Sequence, residues 1–483
     1  MRGSPASRGM RRRPARGALL GLVCVLAFAV APSSCWFRDL DAYRGWTGMQ
    51  LAASGRFRVE QVQGVWWLVT PTGRPFFSAG ITSVRSFGDY APDLDAYPYL
   101  DAILARWGST AAWAENALDQ IRGAGFTTIG AFSEVAWFRG RFPYTEILTF
   151  SATAPIVPGT TNAFNSLRDF YDPAFLDGVA QTAELARPCA EDPFCIGVFT
   201  DNELPWSPML TQSLSHLDGY LRLPAGAPGK LALQAFLAQR WSGDVAAFNA
   251  AWKASLASFD ALQDVSALSS NTPAARADRF AFRAHVAAHY FRTVHDALRA
   301  VDPGVLILGA RFLAFSAAPD VVAAAAPWVD VLSINAYEWN DTWTAIARNA
   351  AAVSGQYPFD AVLDDVDAMY ATAGKPILIS EFGYRAADSG LPNSTPPQYP
   401  VLEDQAERAD VYEQYMERVL QRPFVVGAHW FKHADQPFTG RNDGEDNNWG
   451  FVDIADRVYP EMYLRMWSVH HSMMQRRLAL ASP

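Results

Sequence analysis

From residue 56 onward the chain carries two hydrophobic rhythms in succession. The segment RFRVEQVQGVWWLVTPTGRPFFSAGITSV alternates apolar and polar residues around turn signals at Gln63-Gly64 and Pro71-Thr72-Gly73, the pattern of short hairpin strands leading into a buried strand. Thereafter, short unbroken apolar runs recur between longer helix-compatible stretches. The runs lie at 76–83, 127–132, 145–150, 196–201, 305–310, 329–336, 376–380 and 425–430, and the helical stretches include 110–124, 173–187, 277–301, 406–420 and 459–477. Eight rounds of strand and helix predict a (β/α)8 TIM barrel over 56–477, preceded by short N-terminal β-hairpin strands. A doubly wound open sheet is the competing α/β fold, but no GxGxxG or GxxxxGK turn follows any of these strands. The longest interruption, 204–271, contains the helical FLAQRWSGDVAAFNAAW and is expected as an insertion after strand four that lies over the barrel mouth.

Ahead of the barrel, Arg2, Arg8, Arg11, Arg12, Arg13 and Arg16 precede the apolar ALLGLVCVLAFAVA. Positive charge followed by a short apolar run is the pattern of an export signal, here 1–34, and the run is shorter than the roughly 20 residues a membrane span needs. Cys35 follows Ser33 and Ser34, so lipid attachment at Cys35 and simple cleavage both fit, and the product is exported: periplasmic, anchored by a lipid, or secreted. Residues 36–55 read as a linker. Cys24 leaves with the signal, whereas Cys189 and Cys195, six positions apart, either close a small disulfide loop in an oxidising compartment or stay as buried thiols.

The 483 residues carry a formal net charge of −9, which excludes a polyanion such as nucleic acid as the natural partner, because phosphate backbones are bound by clustered Lys and Arg. Aromatic residues are abundant, with 16 Trp, 17 Tyr and 30 Phe, and flat rings stack on the C–H faces of sugars. Large cores use the same residues.

In a barrel, chemistry sits at the C-terminal ends of the strands, so polar residues that terminate buried runs are the informative ones. Strand four ends CIGVFTDNELPW and places Asn202 and Glu203 at the mouth; strand seven ends KPILISEFGY and places Glu381 there. Two carboxyl groups on facing strands suit cleavage of a glycosidic bond with retention, one protonating the leaving oxygen and the other attacking the anomeric carbon. That chemistry requires neither cofactor nor metal. Each Glu alone could equally cap a helix or pair with a surface Arg.

The pairing of Asn202-Glu203 with Glu381 resembles clan A glycoside hydrolases. The stretches GVWWLVTPTGRPFFSAGITSV, IGVFTDNELPW, ILISEFGY and HWFKHADQPFTGRNDGEDNNWGFVDI are similar to β-agarases of glycoside hydrolase family 50. WSGDVAAFNAAWKASLASFDAL resembles the segment of family 42 β-galactosidases with a Leu-Asn-x-x-Trp pattern, matched at Asn249 and Trp252 but with Phe248 in place of Leu. The resemblance implies a retaining hydrolase of β-linked carbohydrate, most closely a β-galactoside, with Glu203 as acid/base, Glu381 as nucleophile and Asn202 on the sugar 2-hydroxyl. It further implies that Tyr337 orients the nucleophile, that Trp430 is the sugar platform, and that His429, His433, Asp435, Gln436, Arg441 and Glu445 shape the subsites. Arg311 and Asn335, after strands five and six, are candidates of the same kind.

Other constellations carry less. His285 and His289 have the i, i+4 spacing of a metal pair without the Glu of HExxH, no GxSxG elbow occurs, and Asp364, Asp365 and Asp367 lack the ligand rhythm of a calcium loop. The readings left beside a β-galactoside hydrolase are a β-glucan hydrolase, a transglycosylase of the same clan, and a surface carbohydrate-binding protein without turnover.

Overall fold

A computed structural model describes residues 39–160, 166–207, 214–314, 317–338 and 360–480, and 39–483 form one compact unit. The export signal and Cys35 lie outside the described residues.

The hairpin rhythm becomes a three-stranded antiparallel sheet, β1 (Arg58–Val62), β2 (Val65–Val69) and β3 (Pro75–Phe76). Gln63 and Gly64 both take positive φ (50° and 81°), the two-residue turn whose twist matches that of its strands. Residues 39–55, read as linker, fold onto this sheet: Trp46 N donates to Pro75 O at 2.9 Å and Leu51 N to Gly73 O at 2.8 Å.

The unbroken runs become one parallel sheet of eight strands: β4 (Ser78–Ile81), β5 (Thr128–Ile129), β6 (Tyr144–Leu148), β7 (Cys195–Thr200), β8 (Phe312–Leu313), β9 (Leu332–Asn335), β10 (Ile377–Phe382) and β13 (Val425–Trp430). Between the last two lies the small parallel pair β11 (Arg385–Ala386) and β12 (Val401–Leu402). All six residues of β7, of β10 and of β13 are buried, as strands covered on both faces must be, which is why the sequence shows runs instead of alternation. The sheet order β7-β6-β5-β4-β13-β10-β9-β8 returns on itself through residues 305–310, where Val198 bridges Ile307 in parallel and Leu308 N donates to Val198 O at 2.8 Å. This curled parallel sheet with helices between strands agrees with a TIM-like barrel. The 305–310 run thus pairs with β7 as an isolated bridge, and the regular strand β8 begins just beyond it. Phe57, Leu68 and Phe76 of the N-terminal segment pack with Ile196, Leu306, Val331, Leu378 and Val426 near the strand beginnings and close that end of the sheet.

The insertion folds as helices His216–Leu221, Pro228–Arg240 and Val245–Trp252, which pack against the long helix Pro273–Val301. Asp278 of that helix, almost fully buried, is met by the Arg240 guanidinium, by Trp241 Nε1 at 2.9 Å and by Trp252 Nε1 at 2.7 Å. Asn249 bonds the Leu256 backbone in both directions, at 2.8 and 2.9 Å, and Phe248 stacks on Trp252. The Asn-x-x-Trp pattern therefore holds the insertion together. His285 and His289 lie against the ring of Tyr171, and Asp367 pairs with Arg422. Cys189 and Cys195 form a disulfide with Cα atoms 5.2 Å apart. No helix among the described residues is long and apolar enough to cross a membrane.

Candidate active site

Each of the eight parallel strands supplies a side chain, at or just past its C-terminal end, to one cavity of about 660 Å³: in strand order Ser83, Phe132, Thr149, Glu203, Leu313, Tyr337, Glu381 and Phe431. Loops after β11 and β13 add Pro396, Gln398, Tyr399, Arg441, Asp443, Glu445 and Trp449. No described residue of 204–271 lines it, and the described helices of the insertion pack against helix Pro273–Val301. A second cavity of about 600 Å³, lined by Arg222, Arg279, Phe280 and Arg283 among others, lies between the insertion and helix Pro273–Val301 and contains neither Glu203 nor Glu381.

Backbone geometry at the strand ends is unusual. Ser83, Phe132, Asp201, Glu203 and Arg311 all have left-handed φ, between 50° and 79°, although none is glycine. Such a residue costs about 1–2 kcal/mol, and tertiary contacts hold each turn. Asp201 is the clearest anchor: its buried carboxylate accepts from Ser151 N at 3.0 Å, Ser151 Oγ at 2.7 Å and Tyr290 OH at 2.5 Å, and burial lifts its pKa to about 6. This fixes the turn that projects Asn202 and Glu203.

The two glutamates sit in unlike surroundings. Glu203 accepts from Asn335 Nδ2 at 2.7 Å, and Asn335 is itself oriented by Ser380 Oγ, which donates to its Oδ1 at 2.7 Å. Burial, followed by the charge of Glu381, pushes the Glu203 carboxyl up to about 7. Glu381 is gripped on both oxygens, by the Arg311 guanidinium on Oε1 and by Tyr337 OH on Oε2 at 2.7 Å. Arg311 is wholly buried between the rings of Phe132 and Phe199, and its Nε also donates to Asn202 Oδ1 at 2.8 Å. Burial and the Glu381 charge hold the Tyr337 hydroxyl well above its ordinary pKa, so it remains a donor. Asn202, Glu203, Arg311, Asn335, Tyr337 and Glu381 thus form one bonded constellation.

The other expected site residues divide. Arg441 and Glu445 line the cavity and pair with each other at 2.9 Å. Gln436 is fully buried behind them and donates to Glu445 Oε2 at 2.5 Å. Asp435 is buried as a brace for the loop, accepting from Gly450 N at 2.7 Å and Tyr459 OH at 2.6 Å. Trp430 was expected as the sugar platform, but it is 0% exposed, lies edge-on to Phe382 and Tyr412 under Arg408, and is not a lining residue. His429 and His433 are likewise sealed, and burial lowers their pKa to about 3 and about 4, so both are neutral. The Trp430, His429 and His433 side chains, at and just past the end of β13, are thus packed into the interior and do not line the cavity. The aromatic wall comes instead from Tyr337, Tyr399, Phe431 and Trp449, whose ring centres lie 5.1–6.0 Å apart, with Phe132 also lining the cavity. Tyr399, Trp449 and Asp201 are residues that sequence reasoning missed; for Trp449 the signal was its position inside the polar loop after β13.

No family model matches the chain. It is 29% identical over 479 residues to β-agarase A of Vibrio sp. (strain JT0107), an alignment covering 86% of this chain and 45% of that protein, and 28% identical over 487 residues to β-agarase B of the same strain, covering 86% and 48%. The chain therefore spans about half the length of these relatives. Among solved structures, an exo-β-agarase superposes with a TM-score of 0.78 at 26% identity, covering 91% of this chain and 68% of that one. A second agarase gives 0.77 at 25%, with the same coverage. The chain is homologous to proteins described as β-agarases.

Proposed function

We propose that this protein is an exported retaining glycoside hydrolase that cleaves β-galactosidic bonds of a neutral, agarose-like polysaccharide, with Glu203 as acid/base and Glu381 as nucleophile. The observation that carries the proposal is the asymmetry of the two carboxyl groups. Glu203, with its pKa raised to about 7, holds its proton up to the edge of neutral pH, where an ordinary carboxyl has lost it. Glu381, gripped by a guanidinium and a phenol, presents an oriented oxygen for attack. Two neighbouring carboxyls with separated environments are what acid-and-nucleophile chemistry needs.

In the first step Glu203 gives its proton to the glycosidic oxygen while a Glu381 oxygen bonds to the anomeric carbon, and the leaving sugar departs as an alcohol. Esterification removes the negative charge of Glu381, the second-largest of the causes that raise the Glu203 pKa, so Glu203 is more readily left deprotonated and available as base in the second step. It then takes a proton from water, whose oxygen attacks the anomeric carbon and frees Glu381. Asn202, held by Arg311, is positioned for the sugar 2-hydroxyl, and Tyr399 and Trp449 supply the stacking surface that Trp430 does not. The substrate class is taken from the β-agarases to which the chain is similar, and clan A membership rests on the positions of the two glutamates after the fourth and seventh barrel strands. Export through residues 1–34 is part of the proposal.

The test is reducing-end release from a panel of β-galactans, β-glucans and aryl β-glycosides, with the anomer first formed followed by proton NMR. Turnover of a β-galactan with retained configuration is expected. Inversion would overturn the nucleophile assignment, a β-glucan preference the substrate, and absence of turnover with binding intact would favour a carbohydrate-binding protein. Transfer to added sugar acceptors in preference to water would make it a transglycosylase.

A further inference from the structure

Beyond the cavity, the loop between β4 and helix Pro98–Trp107 carries an aromatic cluster that the proposed chemistry does not use. Arg85, one of the cavity-lining residues, lays its guanidinium over Phe87 at 5.0 Å; Phe87 meets Tyr97 edge-on at 6.1 Å, and Tyr97 meets Tyr90 at 5.2 Å. These contacts form an unbroken path from the cavity wall to the surface. Phe87 is 36% exposed, Tyr97 41% and the intervening Leu94 55%. Single exposed apolar side chains need no explanation, but rings in mutual contact beside a binding cavity do.

The loop is also built to be stiff. Asp89, nearly fully buried, binds both Arg85 and Lys432, and Lys432 follows the cavity residue Phe431. Ala91 N donates to Ala96 O at 2.8 Å, and Tyr90 OH to Asp95 Oδ1 at 2.5 Å. Gly88 has φ of +60°, and a Cβ added there would lie 2.6 Å from that of Tyr99, so the loop is pressed onto the core. Rings on such a support lose little freedom when a ligand stacks on them. Charge at the junction with the cavity is balanced: Arg85, Lys432 and Arg441 face Asp89, Asp443 and Glu445. Asp93 and Asp95, exposed in the same loop, disfavour a polyanionic chain, so the flat rings suit a neutral carbohydrate chain.

We infer that Phe87, Tyr90 and Tyr97 form an outer platform that holds the part of a neutral polysaccharide chain extending past the cavity. The inference rests on the proposed glycosidase reading and adds to it: this protein distinguishes polymer from short oligosaccharide through this surface. Stacking on a ring contributes enough that loss of two rings changes affinity roughly tenfold.

The experiment compares full-length wild type with Phe87→Ala/Tyr97→Ala and Phe87→Leu/Tyr97→Leu, the second pair keeping apolar bulk while removing flat faces. Two readouts are taken: the ratio of kcat/KM on soluble agarose to that on a disaccharide-sized aryl glycoside, and retardation in native gels containing neutral agarose or a sulfated galactan. Both double variants are expected to lower the kcat/KM ratio roughly tenfold and to migrate faster than wild type through the neutral gel. A ratio equal to that of wild type, a loss of equal size on the short substrate, or full rescue by the Leu pair would overturn the platform. Retardation by the sulfated gel alone would overturn the neutral assignment. A wild type that cleaves nothing yet is retarded by agarose through these rings would overturn the glycosidase reading and leave the platform standing.

Discussion

The ends of β7 and β10 offer the same residue type to the same cavity and treat it in opposite ways. At β7 a strained, left-handed turn clamped by Asp201 places Glu203 against the neutral amide of Asn335 and in the field of a second carboxylate. At β10 Glu381 sits within the strand, where the pairing register shifts, and is held by a buried cation and a phenol. Chemical identity is therefore no guide to role; on the proposed reading, the donors around each carboxyl divide the parts of acid and nucleophile between them.

Breaking either side should separate the roles. The largest effect is expected from Glu381→Gln, a loss of roughly 10⁴-fold or more in kcat/KM on every substrate, because no covalent intermediate can form. Glu203→Gln should cost roughly 10²–10⁴-fold on polysaccharide but much less on an aryl glycoside, whose leaving group needs little protonation. Equal losses on both substrates would contradict the division. Next, Arg311→Met leaves a buried carboxylate without its cation, and a fall in kcat/KM of about 10²-fold with a lowered melting temperature is expected. Tyr337→Phe removes one hydrogen bond to that carboxylate and should reduce kcat about tenfold with little change in KM.

Smaller effects concern the Glu203 side and its pH dependence. A carboxyl raised from 4.5 to about 7 binds its proton more tightly in the folded state. The stability it confers is full below the unfolded value and is lost as pH rises through the folded one. Glu203→Gln should therefore be more stable than wild type at pH 8, by about 1–3 kcal/mol, and no more stable at pH 4, as read by denaturant titration. Activity should fall as pH rises through about 7, when the acid loses its proton. Asn335→Ala removes a donor that lowers the Glu203 pKa, so the alkaline limb of the kcat/KM profile should move upward.

Much of this arrangement was legible in the chain. Buried parallel strands must be apolar on both faces, so the runs that became β7, β10 and β13 stood out, and the polar residues closing them marked the cavity end of the sheet. The insertion was legible as helices, while the face of helix Pro273–Val301 that they pack on was set by side-chain contacts such as those of Asp278 with Trp241 and Trp252. Trp430 shows the same limit more sharply. A Trp at a strand end can turn toward the cavity or away from it, and only its neighbours Phe382, Tyr412 and Arg408 turn it away.

The sequence by itself determined the order of strands and helices and the two glutamates at strand ends, since hydrophobic periodicity and run termination are local properties. The tertiary structure decided the rest: the left-handed turns at Asp201, Glu203 and Arg311, the grip of Arg311 and Tyr337 on Glu381, and the aromatic wall of Tyr399 and Trp449. Each depends on groups brought together from remote parts of the chain, and a pKa or a strained φ exists only once those groups meet.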